Sequence, residues 1–484
     1  MTDQNDLEHT SSQVSASPTE GAASTPSLGE GLPLYARLVE TSGQTRLAGQ
    51  WIAAHTDVFR HSAHLGWFVW DGTRWCPDPD GKAAHASLTR IMQTSWSLAF
   101  NDADERKRLQ GLLSHGAQAG ALKIAANLDP ISISYTEFDS DPTKLNCANG
   151  ILDLSSLTLT PHEPGEHLTK ITNANYDEHA DQSTWLQFLA TVLPDKAVRE
   201  YLQRFIGLSL LGEVREHILG IATGVGANGK STFVNAILHA LGDYATAADS
   251  ALFLSTKESA NAASPALMQL RGVRFVVCSE TEEDQALAPA LTKQITGGDR
   301  INARQLYKEQ ITFEPSHTAL MVTNHLPKIH RDDPALFRRL KVIPFDVTVP
   351  ESEQDPLLGH ALRDSADGIL AWAVEGLRTY LATGMATPAA VEARTAAYRS
   401  DSDSLTGFLA TELSVAPNAW VSRADILSAY ETYCRESGAH KATESELYKR
   451  IEATGTALPS RRGNRRGFKN VQLTAEVTAL ESIE

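Results

Sequence analysis

Long apolar runs, paired cysteines and a surplus of positive charge are what this sequence lacks, and each shortage closes off a class of protein. No apolar stretch approaches the ~20 residues a helix needs to span a bilayer, and no basic stretch followed by an apolar core opens the chain. A soluble protein with no membrane partner is expected. The four cysteines, Cys76, Cys147, Cys278 and Cys434, lie far apart, with no C-x-x-C pair and no histidine at zinc-finger spacing. Neither a disulfide framework nor a structural zinc is indicated, and a reducing interior is the expected home. Lys and Arg number 43 against 59 Asp and Glu, a formal charge of -16. The surface as a whole is therefore no nonspecific nucleic-acid glove, and any such contact must come from a local basic patch.

What is present is ordinary globular composition, 42% hydrophobic and 21% charged over 484 residues. At roughly 100 to 200 residues per domain, that length calls for two to four domains. Residues 1–30, rich in Ser, Thr, Glu, Ala and Gly, cannot bury enough surface to offset their ordering entropy and read as a disordered tail. Residues 31–180 read as a mixed α/β domain. Within it, Gly66-Trp67-Phe68-Val69-Trp70, a turn at Asp71-Gly72 and then Trp75 predict a β-hairpin. Trp67, Trp70 and Trp75 read either as a stacking platform for bases or as the core of a small sheet, and the alternation favours the core. Asp139 and Asp141 stand in a polar turn without a second acidic strand or a histidine, so they read as a solvated loop rather than a metal pair. Residues 181–215 carry helical periodicity in Trp185, Phe188, Leu189 and Val192, then in Val198, Tyr201, Leu202, Phe205 and Ile206, and read as a helical collar. Residues 216–350 hold the central module and 351–400 a helical extension. The Ser/Asp-rich stretch Ser400 to Ser404 is a candidate linker into the last domain, 401–484, which ends in a basic hairpin from Ser460 to Lys469.

In the central module, Gly224-Val225-Gly226-Ala227-Asn228-Gly229-Lys230-Ser231 fits G-x-x-x-x-G-K-[ST] at every fixed position. The apolar run Ile218 to Thr223 ahead of it reads as a buried strand. Phe233, Ile237, Leu238 and Leu241 follow at helical spacing, up to Gly242 at a C-cap position. Phosphate binding needs this order: glycines let consecutive N–H groups turn inward at a helix N-terminus, and a lysine brings a point charge to the β and γ oxygens. The nucleotide-binding set is Gly224, Val225, Gly226, Ala227, Asn228, Gly229, Lys230, Ser231 and Thr232, with ATP as nucleotide and Ser231 as a Mg2+ ligand. A glycine-rich turn that binds nothing would have no use for the Lys-Ser pair.

Val273 to Ser279 reads as a second strand ending at Glu280, with Glu282 and Glu283 just beyond. An acid at such a strand tip can hold the metal's water shell, the role given to Glu280. Glu282 is the candidate general base, an exposed loop acid being its other reading. A third strand, Ala319 to Thr323, brings Asn324 to where an amide can orient the attacking water. Leu336-Phe337-Arg338-Arg339-Leu340 precedes a fourth strand at Val342 to Phe345. An arginine held there can cross a subunit boundary and neutralise transition-state charge, or make only a surface ion pair; local chemistry leaves the two level.

In this order and spacing the elements resemble superfamily 3 helicases, specifically the phage, plasmid and poxvirus primase-helicase family. The resemblance covers Asn146 to Phe345, including Asn149-Gly150-Ile151-Leu152-Asp153-Leu154. Gly297 to Asp299 followed by Ala303-Arg304 and Tyr307-Lys308 is similar to the family's hairpin, and Thr323-Asn324 with Pro327 to its sensor motif. It implies an α/β fold with a P-loop AAA+-like ATPase core, a mixed N-terminal domain, a helical collar and a C-terminal winged helix. It further implies a homo-hexameric ring threading single-stranded DNA, with Arg304, Tyr307 and Lys308 on a hairpin whose stem pairs Arg300–Ala303 with Gln310–Phe313. The arginine finger maps onto Arg338, with Arg339 as the adjacent second choice. Family members often carry a large polymerase-like primase domain; the region before Asn146 shows no catalytic acid set, which implies a separate primase as partner. The terminal domain places Arg461, Arg462, Arg465, Arg466 and Lys469 on the wing, a local basic patch for DNA, with a solvated loop as the bland reading.

The function these readings point to is a replicative helicase that uses ATP and Mg2+ on single-stranded and forked DNA, for a phage, prophage or plasmid in the cytoplasm of a bacterial host. A small-molecule kinase, an origin-binding initiator that uses ATP as an assembly switch, and a primase-helicase completed by a partner primase are the competing readings.

Overall fold

The computed structural model describes residues 33–254, 266–279, 285–304, 309–329, 333–402, 404–437 and 441–474. They fold as two compact units, one of residues 33–55 with 88–130 and the other of residues 56–87 with the described residues from 131 onward. The first unit is helical: α1 (Leu34–Leu38), α2 (Gly43–Ala54), most of α3 (Lys82–Leu98), α4 (Ala103–Leu112) and α5 (His115–Ala125). Two starts are written in the sequence. Asp102 accepts a hydrogen bond from the Glu105 N–H at 2.9 Å, and Ser114 one from the Ala117 N–H at 3.3 Å, satisfying first-turn donors. Buried Leu47, Ala48, Trp51 and Ile52 of α2 meet Ala117, Ala121, Leu122 and Ala125 of α5. Gly49 lets α1 lie against α2, since a Cβ there would stand 2.7 Å from the Tyr35 carbonyl oxygen.

The second unit opens with an antiparallel meander, β1 (Phe59–Ser62), β2 (Gly66–Trp70) and β3 (Trp75–Asp78), whose β2–β3 turn is the predicted hairpin. Trp75 is fully buried and its indole N–H donates to the Pro164 carbonyl at 2.9 Å, while Trp67 and Trp70 are half-buried. The core reading holds for Trp75. A second small sheet follows, β4 (Lys144–Cys147), β5 (Gly150–Asp153) and β6 (Thr158–Thr160). Asp139 departs from the expected solvated loop: it is half-buried, and its carboxylate accepts from the Thr169 N–H at 2.7 Å and the Thr169 hydroxyl at 2.5 Å. Asp141 does cap a turn, accepting from the Thr143 N–H at 2.9 Å.

The expected helical segment consists of α6 (Ser183–Val192) and α7 (Lys196–Ser209). Then come β7 (Leu219–Thr223), α8 (Lys230–Leu241), β8 (Ala245–Ala248), β9 (Phe275–Ser279), α9 (Pro289–Ile295), the hairpin β10 (Ile301–Arg304) and β11 (Gln310–Phe313), β12 (Thr318–Thr323), α10 (Pro334–Phe337) and β13 (Leu340–Pro344). Five of these strands form one parallel sheet in the order β13-β7-β12-β9-β8. Both faces are covered, which explains the nearly unbroken apolar strands. Ala222, Phe275, Val277, Leu320 and Val322 enter one core, and Leu219, Ile221, Val276, Cys278, Ala319 and Met321 the other, following the two-residue alternation of side chains along a strand.

Three helices follow: α11 (Leu358–Asp364), α12 (Ala366–Thr383) and α13 (Ala389–Ser402). α12 packs on α7 backbone to backbone. A Cβ on Gly207 would lie 2.1 Å from the Leu377 nitrogen, and one on Gly376 2.0 Å from the Gln203 carbonyl oxygen. Of the stretch expected as a linker, Ser400 to Ser402 form the end of α13 and Ser404 the start of α14 (Ser404–Thr411), with residue 403 outside the described residues. The last segment adds β14 (Leu413–Ser422), α15 (Arg423–Ser437), α16 (Glu444–Ala453), β15 (Leu458–Arg462) and β16 (Arg465–Leu473) around its own core of Phe408, Ile426, Tyr430, Leu447, Ile451 and Phe468. Its three strands pair antiparallel in the order β14-β16-β15, and β14 was not foreseen.

Candidate active site

The glycine-rich loop joins the carboxyl end of β7, an interior strand of the parallel sheet, to the first turn of α8, beside the point where the chain crosses β7 to form β13. That edge is where open α/β sheets bind ligands. Two glycines are dictated by their surroundings. Gly224 has φ 156°, and a Cβ on it would meet the Phe345 carbonyl oxygen at 2.1 Å; Gly229 has φ 79°, and a Cβ would meet Val192 Cγ1 at 2.5 Å. Ala227 also takes a positive φ, 58°, and its carbonyl accepts from the Val349 N–H at 2.8 Å. Asn228 is buried, and its side-chain amide donates to the Phe345 carbonyl at 3.0 Å. The loop is thus fixed from α6 on one side and from the chain beyond β13 on the other.

Lys230 begins α8. Its Nζ donates to the Gly224 carbonyl at 2.6 Å, the Asn228 amide oxygen at 3.1 Å and the Asn324 amide oxygen at 3.1 Å. All three acceptors are neutral, and among the described residues no carboxylate pairs with this ammonium. Burial lowers its pKa from the ordinary lysine value. The α8 N-cap, Gly229, has no side chain, and the first N–H of the helix, that of Lys230, donates to the Asn228 amide oxygen at 3.4 Å. A helix start without an N-cap side chain, beside a cation held only by neutral oxygens, suits an anion with several oxygens, such as a polyphosphate. Ser231 is exposed and Thr232 half-buried in that first turn, positions from which a hydroxyl can reach a metal ion bound with the phosphates. Val225 is 65% exposed and Gly226 has nothing within 4 Å of a Cβ position, so this part of the loop faces open space.

The sequence candidates separate into two groups. Asn324 follows β12 and joins Lys230 and Asn228 at the carboxyl edge of the sheet. Arg338 and Arg339 do not, because Leu340 of β13 pairs with Leu219 at the start of β7 and both arginines therefore lie at the amino edge. The five-residue strand β7 separates the edges by about 13 Å. Arg338 is exposed, whereas Arg339 turns back to donate to the Ala335 carbonyl at 3.2 Å. Glu280, Glu282, Tyr307 and Lys308 lie outside the described residues.

The hairpin stem is present one residue on from its expected start, Ile301–Arg304 pairing with Gln310–Phe313, which puts Arg304 opposite Gln310 at the end leading to residues 305–308. In the last segment Arg461 faces Arg466 and Arg462 faces Arg465 across β15 and β16, and Lys469 stands opposite Leu458. Arg462 also lies over the Trp420 ring at 5.4 Å. Like charges directly opposite each other destabilise a hairpin, so an anion is the natural complement of this surface.

Sequence reasoning missed the far wall of the cleft over the glycine-rich loop. A cavity of about 640 Å³ is lined by Thr223, Gly224, Val225, Asn324, His325, Leu326, Lys328, Asp346 and Arg394. Arg394 comes from α13, and its Nη2 donates to both Asp346 oxygens, at 2.7 and 2.6 Å. No local pattern marks a helical arginine so far along the chain; only the packing of α13 on β13 brings it here, with the Val342 N–H donating to the Thr395 hydroxyl at 2.9 Å.

Residues 48–194 match the family described as D5 N terminal like, and residues 222–339 one described as a family of unknown function, DUF5906. The second match runs from β7 to Arg339. "Putative helicase L207/L206" of Acanthamoeba polyphaga mimivirus is 30% identical over 332 residues, covering 64% of this chain and 35% of the relative. "Putative primase C962R" of African swine fever virus (strain Badajoz 1971 Vero-adapted) is 23% identical over 396 residues, covering 76% of this chain and 40% of the relative. The chain thus spans little more than a third of the length of these curated relatives. The solved NrS-1 C terminal region (305-718) is 11% identical with a TM-score of 0.45, covering 86% of this chain and 96% of that one.

Proposed function

We propose that this chain, which carries a D5 N-terminal-like region and a phosphate-loop module and is related to viral proteins named as helicases and primases, is the ATP-driven motor of a replicative DNA helicase. The observation that carries the reading is the Lys230 ammonium at a helix start whose N-cap, Gly229, has no side chain, bonded to Asn324 from the neighbouring strand and to no acid among the described residues. Bound ATP with Mg2+ would supply a terminal phosphate open to attack by water. Lys230 would give up neutral oxygens for phosphate oxygens, a stronger charge-assisted contact. Asn324, released from the lysine, would turn its amide towards the water. Backbone N–H groups from Gly226 to Ser231 would hold the phosphates, and Ser231 the metal.

The core is read as AAA+-like because the loop follows an interior strand of a parallel sheet, and the final segment as a winged helix because three helices and a three-stranded sheet end in a basic hairpin. Ring assembly, with six copies as the expected number, is favoured by the separation of Arg338 from Lys230: an arginine at the amino edge can serve a phosphate loop only in another copy. DNA would meet the hairpin carrying Arg304 and the facing arginines of β15 and β16, and primer synthesis would fall to a separate protein. Unwinding of a forked DNA by the purified chain with ATP and Mg2+, lost in Lys230→Ala, tests the reading. Hydrolysis without unwinding on any forked substrate would leave an ATPase and remove the helicase.

A further inference from the structure

The Arg394–Asp346 pair has no part in the reading just given. Its two members come from elements far apart in sequence, α13 and the segment after β13, and meet only in the cleft over the phosphate loop. Two further walls of that cleft, Gly224 and Asn324, are the residues whose oxygens hold the Lys230 ammonium, at 2.6 and 3.1 Å. A phosphate group taken by Lys230 from this side therefore enters the space that Arg394 and Asp346 border. The two are chemically opposed there, since the carboxylate repels a phosphate and the guanidinium attracts it.

The pair is also weakly held. The Arg394 side chain is 42% exposed and that of Asp346 59%, so solvent screens the attraction. One nitrogen, Nη2, serves both carboxylate oxygens, so the fork of parallel N–H bonds that makes arginine–carboxylate contacts strong is not formed. The helix that carries Arg394 is firmly placed. Val391 and Tyr398 are buried, and the Tyr398 hydroxyl donates to the Pro327 carbonyl just past Asn324. Its ring meets Phe337 at 6.1 Å, beside Arg338. Arg394 can therefore change partner by side-chain rotation while α13 stays in place.

Resting on the proposed nucleotide reading of the loop, we infer that Arg394 is a specificity-determining residue that leaves Asp346 for the terminal phosphate of a nucleoside triphosphate, so that the cleft distinguishes triphosphate from diphosphate. Asp346 holds Arg394 when that phosphate is absent and competes with it when present. A diphosphate held by the same loop lacks the group that draws Arg394 away, so the pair stays closed.

The test is the ratio of affinities for ATP and ADP, both with Mg2+, measured by calorimetry on the full chain, its Arg394→Gln and Asp346→Asn variants, and the double variant. Arg394→Gln should weaken ATP about tenfold and leave ADP within about twofold, as expected for one charge-assisted contact net of a screened ion pair. Asp346→Asn should tighten ATP a few-fold without affecting ADP, and that gain should vanish in the double variant. Equal weakening of both nucleotides by Arg394→Gln, or weaker ATP binding by Asp346→Asn, overturns the inference. If the unaltered chain binds both nucleotides, Lys230→Ala abolishes binding and the ratio does not move, this inference falls and the nucleotide reading stands. If the unaltered chain binds neither, the reading of the loop falls and takes this inference with it.

Discussion

The position of Arg338 makes a quantitative demand on assembly. Its strand, β13, runs parallel to β7 in a register that aligns Leu340 with Leu219 and Pro344 with Thr223. The glycine-rich loop begins after Thr223, so Arg338, two residues before Leu340, sits at least about 13 Å back along the sheet. An arginine side chain with ordinary bond lengths reaches roughly 7 Å. Within one copy the contact cannot form. If Arg338 completes the site of a neighbour, its loss should reduce hydrolysis by about 10³ to 10⁵, or about 4 to 7 kcal/mol of transition-state stabilisation. Arg338→Ala and Lys230→Ala preparations should each be inactive. Mixed in equal amounts and allowed to exchange, they should recover about one quarter of the unmixed activity, because in a head-to-tail ring about half the loops keep their lysine and about half of those face an intact arginine. Steady-state phosphate release against mixing ratio is the assay, with exchange followed by labels on the two preparations. Exchanged mixtures as inactive as their parents would refute the assignment of Arg338 and with it the argument from the sheet.

Three further outcomes follow from the geometry. Replacing Arg461 and Arg466 with alanine should weaken binding to duplex DNA uniformly across sequences and lower the slope of log affinity against log salt by about one for each phosphate no longer neutralised; an unchanged slope would separate the hairpin from the DNA. Gly376→Ala should cost about 1 to 3 kcal/mol in denaturant unfolding, since the added methyl would lie 2.0 Å from a backbone oxygen of α7, and an unchanged midpoint would mean that the helices part freely. His317 is sealed in the core, where burial lowers its pKa from 6.5 to about 4. The unfolded chain then binds the extra proton first, so stability should be complete above pH 6.5 and fall by about 3 kcal/mol as pH drops towards 4. His317→Leu should flatten that slope, as read from urea midpoints against pH.

Much of the central module was legible because its signals are local. The strand before the loop, the glycines, the lysine and the apolar face of α8 all fall within one stretch of chain, and Gly242 marks the helix end with φ 54° as expected. The hairpin stem, which the family resemblance placed at Arg300–Ala303 and Gln310–Phe313, begins one residue later on its first strand. β8 was not legible, for Ala245-Thr246-Ala247-Ala248 has small side chains and no alternation, and it becomes a strand only by pairing with β9. β14 was hidden by Pro417 and Asn418, which sit where its register with β16 shifts between Val415 and Trp420. In the first unit the caps at Asp102 and Ser114 were readable signals that went unused. The opposite sheet edges of Lys230 and Arg338, and the meeting of Arg394 with Asp346, depend on strand order, which no local pattern specifies.

The glycine contact between α7 and α12 bears on how the protein is made. α7 precedes the parallel sheet in the chain and α12 follows it, so their contact closes a loop that contains all five strands. During synthesis the apolar face of α7 emerges long before its partner exists, and contacts of such wide sequence separation form slowly. A chain halted near residue 350 would hold every strand of that sheet and still leave α7 without the helix that covers it. Aggregation of such a truncation, and rescue on adding back residues through 383, is the behaviour this closure requires.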